Sequence, residues 1–110
     1  MIDKERKLVT RDQVLQEMDV RRLPTGKKKL YTITFIGKNG KRYFLPKAYS
    51  CGAGKMDNKR WRLRGVQPCD CKGNPEGHVY PVGIFNIIAF NGYKVVPNNY
   101  FDKDNGHTIQ

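Results

Sequence analysis

The sequence predicts a small, mainly β domain with one short helix near its N-terminus, and three observations predict it. Asn39-Gly40 and Asn91-Gly92 each sit between runs rich in β-branched and aromatic residues, the strongest short-range hairpin signal. Residues 59 to 66 alternate cationic and apolar side chains with the period of a strand. Thr10, three residues before Gln13, matches a capping box and marks a helix start. At 110 residues the chain is long enough for one domain, which buries roughly two-thirds of the surface exposed by the unfolded chain. The apolar fraction is a modest 38%, so the dense Val, Ile, Phe and Tyr content of residues 79 to 96 has to supply much of the core.

Residues 1 to 9 read as a charged arm. The helix is expected over 11–19, with Val9 and Val14 as a hydrophobic staple and Val14, Leu15 and Met18 as its apolar stripe. Pro24, Thr25 and Gly26 then turn the chain.

The first hairpin joins Leu30–Ile36 to Arg42–Tyr49. A two-residue type I′ turn at Asn39-Gly40, with positive φ at both positions, pairs Phe35 with Phe44, Ile33 with Pro46 and Tyr31 with Ala48 on one apolar face. Thr32, Thr34, Tyr43, Leu45, Lys47 and Tyr49 fall on the wetter face. Pro46 lacks an N–H, so the far side of its strand is a poor site for a further strand there.

The alternating strand Lys59–Val66 follows a glycine-containing loop and directs Arg60, Arg62 and Arg64 to one side, Trp61 and Leu63 to the other. After a turn-rich stretch, Pro68 to Gly77, come a strand over His78–Val82, a bend near Gly83 and the second hairpin. Its turn pairs Phe90 with Tyr93 and Ile88 with Val95 on one face, and Ala89 with Lys94 and Ile87 with Val96 on the other. Both faces are largely apolar. Such a hairpin suits the centre of a small barrel or sandwich, or a position with one face packed in the core and the other on a partner. Residues 97 to 110 read as a polar tail from which Tyr100 and Phe101 can dock back. Five or six short strands, tight turns and one helix together fit a partly open antiparallel β-barrel of the SH3-like or OB-like kind.

The net charge is +11, and it is concentrated: residues 21 to 64 hold fourteen cations and one acid, Asp57, a net of +13, while the flanking segments each come to −1. A cationic block on a near-neutral chain is built to face a polyanion, because its field concentrates and steers anionic ligands. Arg60, Arg62 and Arg64 form the centre of this surface, since alternate strand residues lie roughly 6.6–6.8 Å apart and each guanidinium can grip a phosphate bidentately. Lys47, Lys55, Lys59 and Arg42 widen it, and Tyr43 and Tyr49 offer rings on which unpaired bases stack. The expected function is a small nucleic-acid-binding module that contacts the phosphate backbone with low sequence specificity. The alternative is a non-enzymatic structural or adaptor protein of a virus particle or mobile genetic element, which sets its basic face against an acidic protein and self-associates through the 87–96 hairpin.

Cys51, Cys69, Cys71 and His78 are zinc-compatible in type, but Cys69 and Cys71 are one residue apart with a single distant third cysteine, a poor match to the paired knuckles of structural zinc sites. Gly52-Ala53-Gly54-Lys55 resembles a phosphate loop only in part, because Tyr49 and Met56 stand where that loop requires glycine and Ser or Thr. No nucleophile, base and orienting group can be assembled, so neither enzyme activity nor a cofactor is expected. An odd number of cysteines, no apolar stretch after the charged N-terminus and no membrane-length run point to a cytoplasmic protein, or a virion component under the alternative, with no membrane partner.

Overall fold

The computed structural model describes residues 2–51 and 63–101. The chain runs through β1 (Ile2–Asp3), β2 (Leu8–Thr10), α1 (Arg11–Asp19), β3 (Tyr31–Ile36), β4 (Arg42–Cys51), β5 (Leu63–Pro68), β6 (Tyr80–Gly83), a 3₁₀ turn (Ile84–Asn86), β7 (Ile87–Phe90) and β8 (Tyr93–Val96). It is mainly β with one α-helix of useful length, and the described strands number eight rather than five or six. They form one open sheet in the order β1-β2-β8-β7-β3-β4-β5-β6, antiparallel throughout except where β2 runs parallel to β8. The two added strands lie in the segment expected to be a charged arm. Lys7, in the left-handed conformation at φ 56°, turns the chain between them, and Leu8, Val9 and Thr10 are all buried.

The helix forms where the capping signature stands. Thr10 ends β2 and caps α1, its Oγ1 accepting the Gln13 N–H at 3.4 Å, while Asn98 Oδ1 accepts the Asp12 N–H at 2.7 Å. Gln13 spends its side-chain amide on Glu17 (3.2 Å) instead of closing the box. Val14 and Met18 are fully buried against Val9 and the sheet. Glu17 and Asp19 sit at the helix C-terminus, where the macrodipole disfavours acids. Their partners explain them: Lys29 bonds Glu17, and Arg64 Nε donates to Asp19 at 3.2 Å. Two cations of the basic block therefore tie the helix to the loop and sheet.

The first hairpin departs from the expected register near its turn. Gly37 N–H donates to Lys41 O (2.8 Å) and Gly40 N–H to Gly37 O (2.9 Å), so the loop has three residues, and Gly40 alone takes positive φ, at 80°. The register becomes Phe35 with Tyr43, Thr34 with Phe44 and Ile33 with Leu45. A one-residue slip sends each β4 side chain to the opposite face. Tyr43 thus packs inward, its ring 5.4 Å from Phe35 and 5.3 Å from Tyr80, while Phe44, expected inside, is 61% exposed. The core decides between the two registers, because the expected one would put Pro46 opposite Ile33 and leave Leu45 outside. The slip is undone by a bulge in which Pro46 and Lys47, both exposed, oppose Thr32, restoring Tyr31 opposite Ala48. Thr32 Oγ1 donates to Pro46 O at 2.8 Å across this bulge. As the proline predicts, β5 pairs with β4 only from Ala48 onward.

The second hairpin adopts the expected two-residue turn, with Asn91 at φ 53° and Gly92 at φ 83°, and the pairs Phe90–Tyr93 and Ala89–Lys94 form. Asn91 is held to β3 by its own N–H to Thr32 O (2.8 Å) and by Oδ1 accepting the Thr32 N–H (2.9 Å). A shift between Thr34 and Phe35 bulges β7 at Ile88, so that Ile87 as well as Phe90 enters the core. Only Ile88 and Ala89 of this strand are left for the outer face. The core is completed by Tyr31, Ile33, Phe35, Ala48, Val66 and Val82, which line the helix side of the sheet. Tyr100 and Phe101 do dock back, with the Arg6 guanidinium 5.9 Å and 5.6 Å from their ring centres. Among the described residues no helix is long and apolar enough to cross a membrane.

Candidate nucleic-acid interface

The residues read from sequence as one cationic surface are distributed over three places. Arg60, Arg62, Lys55 and Lys59 lie outside the described residues, as do Trp61 and the Gly52-Ala53-Gly54-Lys55 segment. Arg64 is described, and it shares a sheet face with Val66 and Val82 in the β5–β6 register; besides bonding Asp19 it donates from Nη1 to Leu63 O at 3.1 Å. Its charge serves the helix–sheet junction. Tyr43 is consumed by the aromatic cluster with Phe35 and Tyr80. Tyr49 has its ring covered by Lys28, whose Nζ lies 4.3 Å from the centroid and also donates to Gly73 O (3.4 Å). Neither tyrosine is a free stacking surface.

Arg42 and Lys47 are exposed, and Arg42 joins a surface that the sequence reading missed. The outer face of β4, β3, β7 and β8 forms a groove of about 800 Å³ lined by Thr32, Thr34, Arg42, Phe44, Ala89 and Lys94 among others, with no carboxylate in its lining. The register aligns Phe44, Thr34, Ala89 and Lys94 as a single row across the four strands. Lys94 was legible in sequence as the cation opposite Ala89. Phe44 was not, because its exposure depends on the slip in the first hairpin.

A second basic groove, about 750 Å³, lies between the 23–30 segment and the 71–74 loop and is lined by Lys27, Lys28 and Lys72. Asp70 shapes that loop: its Oδ1 accepts the N–H groups of Lys72 and Asn74, both at 2.9 Å, and its Oδ2 accepts the Asn74 amide at 3.1 Å. The backbone hydrogen bond from Asn74 chiefly holds the Asp70 carboxyl below its ordinary value of 3.8. A depressed folded-state value means that the carboxylate supports the loop fully at neutral pH and that the support fades only as pH falls below 3.8 through the folded value. The Lys72 and Asn74 amide resonances should stay fixed down to that point and move together below it, and Asp70→Asn should abolish the transition. A transition at or above the ordinary carboxylate value would contradict these bonds.

The four zinc-compatible side chains do not converge, and among the described residues no three His, Cys, Asp or Glu groups form a metal-holding cluster. Cys69 is buried, Cys51 half-buried and Cys71 exposed, and burial pushes the Cys51 and Cys69 thiols up. His78 instead packs its ring 4.4 Å from Tyr80. No family model, curated protein or solved structure matches this chain.

Proposed function

We propose that this protein is a non-enzymatic nucleic-acid-binding module that grips the phosphate backbone with low sequence specificity, on a partly open barrel of the SH3-like kind. The barrel reading is supported by the five adjacent strands β7-β3-β4-β5-β6 at one end of the sheet, with a three-residue 3₁₀ turn carrying the chain from the last of them back to the first. One observation carries the functional reading: Arg42 and Lys94 flank an outer groove without carboxylates, in a chain whose other described cations include several already bound to Asp3, Glu17 and Asp19. A polyanion neutralises such a surface and releases its counterions. Arg60 and Arg62 keep their sequence-based assignment as phosphate contacts in this reading, and the exposed Lys47 adds charge.

Binding of labelled oligonucleotides should fall steeply with salt, and Arg42→Ala and Lys94→Ala should each lower the slope of log affinity against log salt by roughly 0.7–0.9. Arg60→Ala/Arg62→Ala, measured the same way, reports the share carried by the sequence-read ladder. Affinity and salt slope untouched by all four substitutions would remove the proposal. In that case the structural or adaptor reading gains, and light scattering would show a defined oligomer free of nucleic acid.

A further inference from the structure

The geometry points to single-stranded nucleic acid as the occupant of the outer groove, with Phe44 as the stacking platform for an unpaired base. This rests on the nucleic-acid reading above and specifies its ligand. Phe44 is a large ring, 61% exposed, standing on a strand in the middle of a sheet. Its neighbours across the sheet on that face are small: Thr34 beside it and Ala89 beyond, then the exposed Lys94. Adjacent strands are about 4.8 Å apart, so this row of four spans roughly 14 Å between its end Cα atoms. Along β4, Arg42 lies two residues from Phe44 on the same face, roughly 6.8 Å away.

The arrangement combines the two elements that sequence-tolerant single-strand binders use, an aromatic face for the base and cations for the backbone. With small Thr34 and Ala89 beside it and 61% of Phe44 exposed, a base has room to stack on the ring, and the backbone of a strand stacked there can cross that floor towards Lys94. A duplex offers no comparable ring face along its length, because its bases are stacked on one another. Charge selects among other occupants: Arg42 and Lys94 with no carboxylate in the groove favour a polyanion, while a second copy of the chain would bring the same cations against themselves.

The test is polarisation binding of labelled oligothymidylate, oligouridylate and a DNA duplex of equal length to the full chain and to Phe44→Ala, Phe44→Leu and Phe44→Tyr. Phe44→Ala and Phe44→Leu should weaken both single strands by about tenfold or more, Phe44→Tyr should retain them, and duplex binding should hardly change in any variant. The ratio of the two single-strand arms tells DNA from RNA. Single-strand affinity unchanged in Phe44→Ala, or retained in Phe44→Leu, overturns the stacking role while leaving backbone binding intact. Single strands and duplex weakened alike also overturn it. No binding of any probe at low salt overturns the parent reading and this one with it. A concentration-dependent dimer lost in Phe44→Ala assigns the groove to a second copy and overturns the proposal.

Discussion

Phe35→Ala should lower stability by about 3–5 kcal/mol, a large share of the roughly 5–15 kcal/mol that holds a domain of this kind together. Phe35 is 1% exposed, stacks on Tyr43 and meets Tyr80 edge-on at 5.7 Å, so its truncation opens a cavity whose aromatic walls cannot collapse into it. Denaturant unfolding with an unchanged slope gives the measurement. Tyr43→Ala and Phe44→Ala sharpen it into a test of register. With the three-residue loop, Tyr43→Ala is costly and Phe44→Ala stays within about 0.5 kcal/mol. A two-residue turn would reverse that order, so Phe44→Ala proving the costlier of the pair would refute the hairpin described above.

Met18→Ala should cost about 2–5 kcal/mol, because Met18 is fully buried and, with Val14, anchors a helix of only nine residues to the sheet. A helix this short has little stability of its own and depends on that anchorage. Met18→Leu, close in volume, should cost less than about 1.5 kcal/mol. Equal, negligible losses for both would mean that α1 does not seal the core.

What could be read from sequence follows the range of the interaction responsible. The helix is specified by neighbours, with Thr10, Val14 and Met18 acting within one another's reach; its bounds emerge as expected, and of the expected stripe Val14 and Met18 are buried while Leu15 is half-buried. The turn of the second hairpin is equally local, since Asn91 tolerates positive φ and its side chain finds Thr32, whereas the bulge at Ile88, which sets Ile87 beside Phe90 in the core against the expected alternation, comes from pairing with β3. The first hairpin carries the same Asn-Gly pair, yet its outcome is set by tertiary packing, since Tyr43 and Leu45 fill space between Phe35, Ile33 and Tyr80 that Phe44 and Pro46 would fill badly. The residues held a warning in Pro46 opposite Ile33 under the expected register. β2 could not be read at all, because three residues between charged neighbours are too few for a periodicity and their partner strand is β8. Of the site, Arg42 and Lys47 were legible as exposed cations. The roles of Arg64 and Tyr49 were not, because Asp19 and Lys28, which occupy them, come from other parts of the chain.

The parallel pairing of Leu8–Thr10 with Lys94–Val96 also bears on how the chain is made. During translation β2 and the helix emerge with only the two-residue β1 to pair against, and the sheet can accept them only after the β7–β8 hairpin has been synthesised. A nascent chain halted before Tyr93 should therefore expose Leu8, Val9 and the Val14–Met18 stripe to chaperones, and their protection should follow emergence of Tyr93–Val96 from the exit tunnel.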